Sequence, residues 1–260
     1  MNVLVPVRQV GRLEGDVVLE GAASVAESAL DWQLNEWDAF SLEAALTLRD
    51  EAGAGEVVVA SVGGEQAESG LLACLAKGAD RGVRVWDPAL AGADPLSIAT
   101  VLAALARREA PELILCGVQS SDAATGATGV ALAGLLDLPH VAVVTGIARE
   151  GEQLIVDREL DGGTIEVLRL GMPALLTVQT GMNEPRYATL RAIKQARAKP
   201  LQTLTPAELG LTPAELAQAA GSRMLRLTEP ERGEGAAMIE GEPGEIAARI
   251  AQLVGEALRA

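Results

Sequence analysis

Between Asn2 and Thr145, short apolar runs alternate with stretches of helical character, and this alternation constrains the fold more than any other feature of the sequence. Asn2 to Val7, Val57 to Val62, Val83 to Trp86, Leu113 to Cys116 and Val141 to Thr145 read as buried strands. Asn35-Glu36-Trp37-Asp38 opens a helix in which Asp38 would be the cap, with Phe40, Leu42, Ala45, Leu46 and Leu48 on its apolar side. Further helices run from about Glu65 to Lys77, from the Asp94-Pro95 cap to about Arg108, and from Val130 to Leu136. Gln9 to Leu34 reads as irregular, punctuated by glycine and acidic residues.

Strand and helix in strict succession predict an α/β fold: a Rossmann-like parallel sheet with helices on both faces. From Leu154 the pattern becomes antiparallel. Leu154–Leu160 and Ile165–Leu170 flank Asp161-Gly162-Gly163, a strong turn signal, and predict a hairpin. Pro173 to Val178 is one more buried strand. Right-handed crossovers place the loops after parallel strands on one sheet edge, where ligands collect. The informative loops there are Val7-Arg8, Ser61 to Gly64, and above all Gly117 to Gly129, G-V-Q-S-S-D-A-A-T-G-A-T-G. This last stretch lies between a strand and a helix N-terminus, with Gly126 and Gly129 allowing close backbone approach and Ser120, Ser121, Thr125 and Thr128 offering hydroxyls. Two readings fit it: a nucleotide phosphate site, or a polar loop with a helix cap at Asp122.

Several chemistries are excluded. His140 is the only histidine and no nucleophile-elbow pattern accompanies it. Cys74 and Cys116 stand far apart in apolar surroundings, which fits buried thiols in a reducing compartment, and no cysteine or histidine cluster predicts a metal site. Neither G-x-x-x-x-G-K-[ST] nor G-x-G-x-x-G occurs. A net charge of −15 argues against nucleic acid as a partner. No apolar run is long enough to cross a bilayer and no signal peptide is evident, so a cytoplasmic location is expected. The 260 residues, 49% hydrophobic, suffice for a core without disulfides.

The cations are unevenly placed. Lys194 and Lys199, two of the three lysines, share a short segment with Arg186, Arg191 and Arg197, opposed there only by Glu184. Such an island fits either an acidic partner or a solvated helix face. Thr205-Pro206-Ala207-Glu208 and Thr212-Pro213-Ala214-Glu215 are two capping boxes, read as short helical turns in a linker. Arg223 to Gly241 reads as extended, and Pro243 to Leu258 as an amphipathic helix with Ile246, Ile250, Leu253 and Val254 on one face. These shifts divide the chain into an α/β domain over 1–190, an arm over 191–234 and a docking helix over 235–260.

The run from Val156 to Val178, V-D-R-E-L-D-G-G-T-I-E-V-L-R-L-G-M-P-A-L-L-T-V, resembles the signature of electron-transfer flavoprotein β subunits. Asn183-Glu184-Pro185-Arg186-Tyr187-Ala188 resembles the N-x-P-R-Y-A stretch that follows it there, and Ala76-Lys77-Gly78-Ala79-Asp80-Arg81 the family's A-x-G-A-D-R element. Asn35 to Asp38, Val83 to Asp87 and Gly117 to Asp122 are similar to the branch found in methylotrophic bacteria.

The resemblance implies an electron carrier rather than an enzyme, working as a heterodimer with an α subunit that holds one FAD. The donor would be a flavin dehydrogenase, such as trimethylamine, dimethylamine or dimethylglycine dehydrogenase. It implies a structural AMP in this chain, against Pro6, Asn35, Asp38 and Val62, with Gln119, Ser120, Ser121, Asp122, Thr125, Gly126, Ala127, Thr128 and Gly129 around the phosphate. Trp37 would stand near the flavin. Partner recognition would fall to Met182, Asn183, Glu184, Pro185, Arg186, Tyr187, Arg191 and Lys194, with Met182 in the place of an aliphatic anchor, and the C-terminal tail would reach onto the α subunit. The loop departs from the Asp-rich form of mitochondrial and bifurcating relatives, since Ala123 and Ala124 follow Asp122, which argues against a second FAD here. Competing readings are an adenine-nucleotide-binding regulator and an adenylating α/β enzyme.

Overall fold

The structure, a computed structural model, describes residues 1–13, 15, 17–21, 24–229 and 235–259. The strands are β1 (Val3–Pro6), β2 (Gln9–Leu13), β3 (Leu19–Glu20), β4 (Ser24–Val25), β5 (Leu30–Leu34), β6 (Val57–Val62), β7 (Arg81–Val85), β8 (Leu113–Gly117), β9 (His140–Glu150), β10 (Gln153–Leu160), β11 (Thr164–Gly171), β12 (Ala174–Val178) and β13 (Leu201–Leu204). The helices are α1 (Glu36–Ala52), α2 (Gln66–Lys77), α3 (Pro95–Glu109), α4 (Thr128–Leu136), α5 (Leu190–Ala196), α6 (Pro213–Ala219) and α7 (Pro243–Ala257).

Nine strands form one sheet in the order β11-β10-β9-β12-β8-β1-β6-β7-β13. The segment from β9 through β12, β8, β1, β6 and β7 to β13 is parallel throughout, and β9-β10-β11 is an antiparallel extension. The parallel strands β1, β8 and β12 are almost wholly buried apolar residues, as a sheet covered on both faces requires. Two apolar clusters cover its faces. Leu42, Leu46, Leu71 and Leu75 of α1 and α2 pack on one face, while Leu102, Leu105 and Leu132 of α3 and α4 pack on the other. The expected α/β architecture is therefore present, and so is the hairpin: β10 and β11 pair from Gln153↔Gly171 to Leu160↔Thr164 around Asp161–Gly163.

Three expectations change. Among its described residues, Gln9 to Leu34 is not irregular: β2 and β5 pair antiparallel from Gln9↔Leu34 to Leu13↔Leu30, with the small β3–β4 pair between them. The rest of that stretch (14, 16, 22 and 23) lies outside the described residues. The N-cap of α1 is Asn35 and not Asp38, which sits inside the first turn with its carboxylate turned to the sheet. Asp122 caps nothing, because α4 begins at Thr128 after Ala127.

The chain divides into two compact units, Met1–Arg226 and Leu227–Ala260. After α5, the first unit gains the edge strand β13 beside β7, then the two capping boxes at Thr205 and Thr212, both formed as expected. Of the extended stretch from Arg223 to Gly241, residues 230–234 lie outside the described residues and the rest is neither helix nor strand. In the second unit, α7 leaves Ile250, Leu253 and Val254 exposed. Among the described residues no helix is long and apolar enough to cross a membrane.

Candidate functional site

At the carboxyl ends of β1, β6 and β8 lies a cavity of about 290 Å³. Its apolar side is built from Pro6, Ala60, Val62, Ile98 and Leu102, and its polar side from the loop that follows β8. Of the residues expected around a nucleotide, Pro6, Asn35, Asp38, Val62, Gln119, Ser120, Thr125, Gly126, Ala127 and Thr128 line it. Ser121, Asp122 and Gly129 do not. Gly129 faces the sheet, where an added Cβ would lie 2.7 Å from Thr177 Cγ2, so glycine there lets α4 pack on β12. Gly126 takes a left-handed conformation, φ +59°, and turns the loop into α4.

Two buried side chains at the start of α1 shape this loop. Asn35 donates from Nδ2 to the Gln119 carbonyl (2.9 Å) and accepts the Ser121 N–H at Oδ1 (3.2 Å). Asp38 accepts the Arg8 N–H (2.7 Å) on one oxygen and the Gly117 N–H (3.2 Å) on the other. Both side chains act on backbone distant in sequence, at the end of β8 and in the loops after β1 and β8, so the end of β8 is fixed by α1. The approach is so close that a Cβ on Gly117 would meet Asp38 Oδ1 at 2.4 Å and Trp37 Cβ at 2.7 Å. Burial pushes the Asp38 carboxyl up from 3.8 to about 7, against the hydrogen bonds that favour its charged form. A buried carboxyl tuned to neutrality can mark a general base. Here each oxygen is already engaged by a backbone N–H, which assigns Asp38 to holding the loop.

Arg8 is the cation lining the cavity, and its guanidinium donates from Nε (3.0 Å) and from Nη2 (2.7 Å) to Asp122 Oδ2, clipping the loop after β1 to the loop after β8. Cys116 also lines the cavity, and Cys74 lies in the core; burial pushes both thiols up, Cys74 to about 12, so neither is a ready thiolate. The Trp37 indole donates to Gln179 Oε1 (2.9 Å) at the end of β12, outside the cavity lining. Nearby, Val143 holds φ +62°, a strained conformation for a β-branched residue, where the β9–β12 register shifts.

The segment between β12 and β13 lies against α1 and α2. Asn183 donates to the Phe40 carbonyl (3.0 Å), Arg186 binds Glu43, and Lys199 donates to the Leu75 and Ala79 carbonyls at the end of α2. Of the basic island, Arg186 and Lys199 are thus engaged within the fold, while Arg191, Lys194 and Arg197 stand exposed. Met182 is half-buried against the core and Pro185 is half-buried, whereas Glu184 is exposed. The apolar groups that the segment shows to solvent are Tyr187 (93% exposed), Leu190 (81%) and Ile193 (48%). Tyr187 lies within the expected recognition segment. Leu190 and Ile193 are not among the residues expected to meet a partner.

The parallel sheet with its edge cavity and antiparallel extension has the architecture of a known class. A family model described as the electron transfer flavoprotein domain matches residues 23–209, and the chain belongs to that family. Its relatives define the branch. It is 42% identical to the electron transfer flavoprotein subunit beta of Methylophilus methylotrophus, over 98% of both chains. It is 37% identical to that of Bradyrhizobium diazoefficiens, over 88% of this chain and 90% of the relative. It is also 37% identical to the Homo sapiens subunit, over 72% and 74%. The chain is a beta subunit of this electron-carrying family.

Proposed function

We propose that this chain is the cofactor-poor half of a heterodimeric electron carrier: an α subunit holds most of one FAD, and this chain holds a structural AMP in the cavity beneath α1. The observation that carries the reading is the pairing of an apolar slot, Pro6-Ala60-Val62-Ile98-Leu102, with a hydroxyl-bearing loop at a helix N-terminus. The residues present fit the group. The slot suits an adenine ring, while Ser120, Thr125 and Thr128 with the N–H groups opening α4 suit a phosphate. At about 290 Å³ the cavity stands at the lower end of the roughly 300–1,000 Å³ typical of ligand sites, which favours a mononucleotide over a second FAD.

The flavin supplies the electron storage when bound. This chain's own residues supply position: Asn35 and Asp38 hold the loop, Trp37 and Gln179 form a fixed polar-aromatic pair at the same edge, and the segment from Gln179 to Lys199 meets the donor. Tyr187, Leu190 and Ile193, flanked by Arg191 and Lys194, form an apolar contact with a basic rim, which suits an acidic patch with a hydrophobic socket. The exposed face of α7 would dock on the α subunit. The donor would be an amine-oxidising flavin dehydrogenase acting on trimethylamine, dimethylamine or dimethylglycine, and the setting cytoplasmic.

Co-expression with an α subunit of the family, followed by purification and absorption spectroscopy, tests this. A yellow heterodimer with about one flavin, releasing AMP on denaturation, is expected. A colourless chain that hydrolyses or transfers nucleotide, or a complex without AMP by mass spectrometry, overturns the corresponding part of the reading.

A further inference from the structure

The cavity has a wall that belongs to neither the strand ends nor the loop after β8. Asp94, Ser222 and Met224 line its outer side. Asp94 is the N-cap of α3, and its Oδ1 accepts the Ser97 N–H (2.9 Å). Its other oxygen points away from the helix. Oδ2 accepts the N–H groups of Gly221 and Ser222 (2.8 Å each) and the Ser222 hydroxyl (3.2 Å). Three hydrogen bonds from a segment with no helix or strand of its own therefore end on one carboxylate oxygen. The chain reaches this point from α6, which packs on α3, so the segment crosses the cavity mouth at the α3 end. Beyond the bonds, Met224 lines the cavity while 60% exposed: a flexible apolar side chain at the rim with much of its surface in water.

We propose that Gly221–Met224 is a strap over the nucleotide cavity, latched by Asp94, and that the latch sets how fast a bound mononucleotide leaves. The inference rests on the nucleotide reading of the cavity. A flat heteroaromatic base in the apolar slot would cover the exposed Met224 surface, so occupant and strap stabilise each other. The latch keeps its charge across the working range of pH. Burial would raise the Asp94 carboxyl, but the hydrogen bonds from Ser97, Gly221 and Ser222 outweigh it and hold the group at about 2. Asp94-Pro95 was legible in sequence only as a helix cap, because the second oxygen serves residues 127 and 128 positions away.

Two variants separate the latch from the cap. In Asp94→Asn, the remaining oxygen still caps Ser97, but the amide NH₂ then faces the Gly221 and Ser222 N–H groups. Ser222→Ala removes only the hydroxyl bond from an exposed position and leaves α3 untouched. The complex with the α subunit is loaded with radiolabelled AMP and release is followed after dilution. Trypsin cleavage after Arg223, inside the strap, is followed in parallel. Asp94→Asn should release AMP about tenfold faster, Ser222→Ala about twofold, both with unchanged flavin content. Unchanged release from a nucleotide-loaded Asp94→Asn complex overturns the strap. If Asp94→Asn does not fold, Ser222→Ala decides by the same measure. If the wild-type complex carries no AMP, the nucleotide reading falls by itself. Cleavage after Arg223 then decides the latch: faster in Asp94→Asn supports it, and equal rates overturn it.

Discussion

Arg186 grips Glu43 as a fork. Nη2 donates to Oε1 at 2.8 Å, Nε to Oε2 at 2.9 Å, and the Arg186 backbone N–H adds a third bond to Oε2 at 2.9 Å. Burial would raise the Glu43 carboxyl, but Arg186 outweighs it and holds the group below its ordinary value. An arginine that in sequence reads as part of a partner-facing island therefore fastens the segment to α1. Glu43→Gln should lower stability by roughly 1–2 kcal/mol, discounted for partial exposure, and speed trypsin cleavage at Arg191. Urea unfolding and a proteolysis time course check both; unchanged cleavage would mean the segment is held elsewhere.

Leu190 and Met182 should separate recognition from stability. Leu190→Ala removes an apolar group that touches mostly water, so unfolding should stay within about 0.5 kcal/mol of wild type. Flavin reduction by the donor dehydrogenase should nonetheless slow roughly tenfold at limiting concentration, as for a truncated interface anchor. Met182→Ala should do the reverse and destabilise by about 1–2 kcal/mol through lost packing against the core. Stopped-flow reduction of the heterodimer beside urea titration reads the contrast, and equal effects in both assays would remove it.

Asn35→Ala leaves the Gln119 carbonyl and the Ser121 N–H without their partner, at a cost of roughly 1–3 kcal/mol. AMP content should fall, although Asn35 holds the loop by its backbone. Asn35→Asp should be worse, because a carboxylate would face the Gln119 carbonyl. Nucleotide per complex by mass spectrometry, with unfolding in parallel, tests the order.

Asp38 makes stability depend on pH in a defined direction. Its folded pKa of about 7 lies above the ordinary 3.8, so the folded state binds the proton more tightly. The contribution is full below pH 4 and is lost as pH rises through 7, on the order of a few kcal/mol in total. Between pH 5 and 8 wild-type stability from this group should fall, and AMP retention should fall with it as a negative charge appears beside the loop proposed to hold the phosphate. Asp38→Asn should flatten that part of the profile. A wild-type urea midpoint that does not move between pH 5 and 8 would contradict the assignment.

The fold was legible wherever burial is one-sided or complete. Apolar runs such as Leu113–Cys116 and Val57–Val62 have few other solutions, and the Asp161-Gly162-Gly163 turn announces its hairpin. The β2–β5 ribbon was not legible, because most of its residues stay partly exposed and no apolar stripe marks them. Nor was β13, whose four residues bury only Leu204 and pair by position rather than pattern. At the site, the place of the Gly117–Gly129 loop beside the edge cavity could be read from its position after a buried strand. What could not be read is which polar groups face inward: Asp38 meets Gly117 across 79 positions and Arg186 meets Glu43 across 143.

The segment from Gln179 to Lys199 leads from the end of β12 to the start of β13, two strands five spacings apart, or about 24 Å across the sheet. It is a beam anchored at both ends, with Asn183, Arg186 and Lys199 as rivets along its length. Such a surface loses little conformational entropy when a partner arrives. Affinity can then stay modest without sacrificing geometry, and dwell time can stay short. On the proposed reading, in which the carrier meets one protein to collect electrons and leaves to deliver them, stiffness at the contact is what permits brevity.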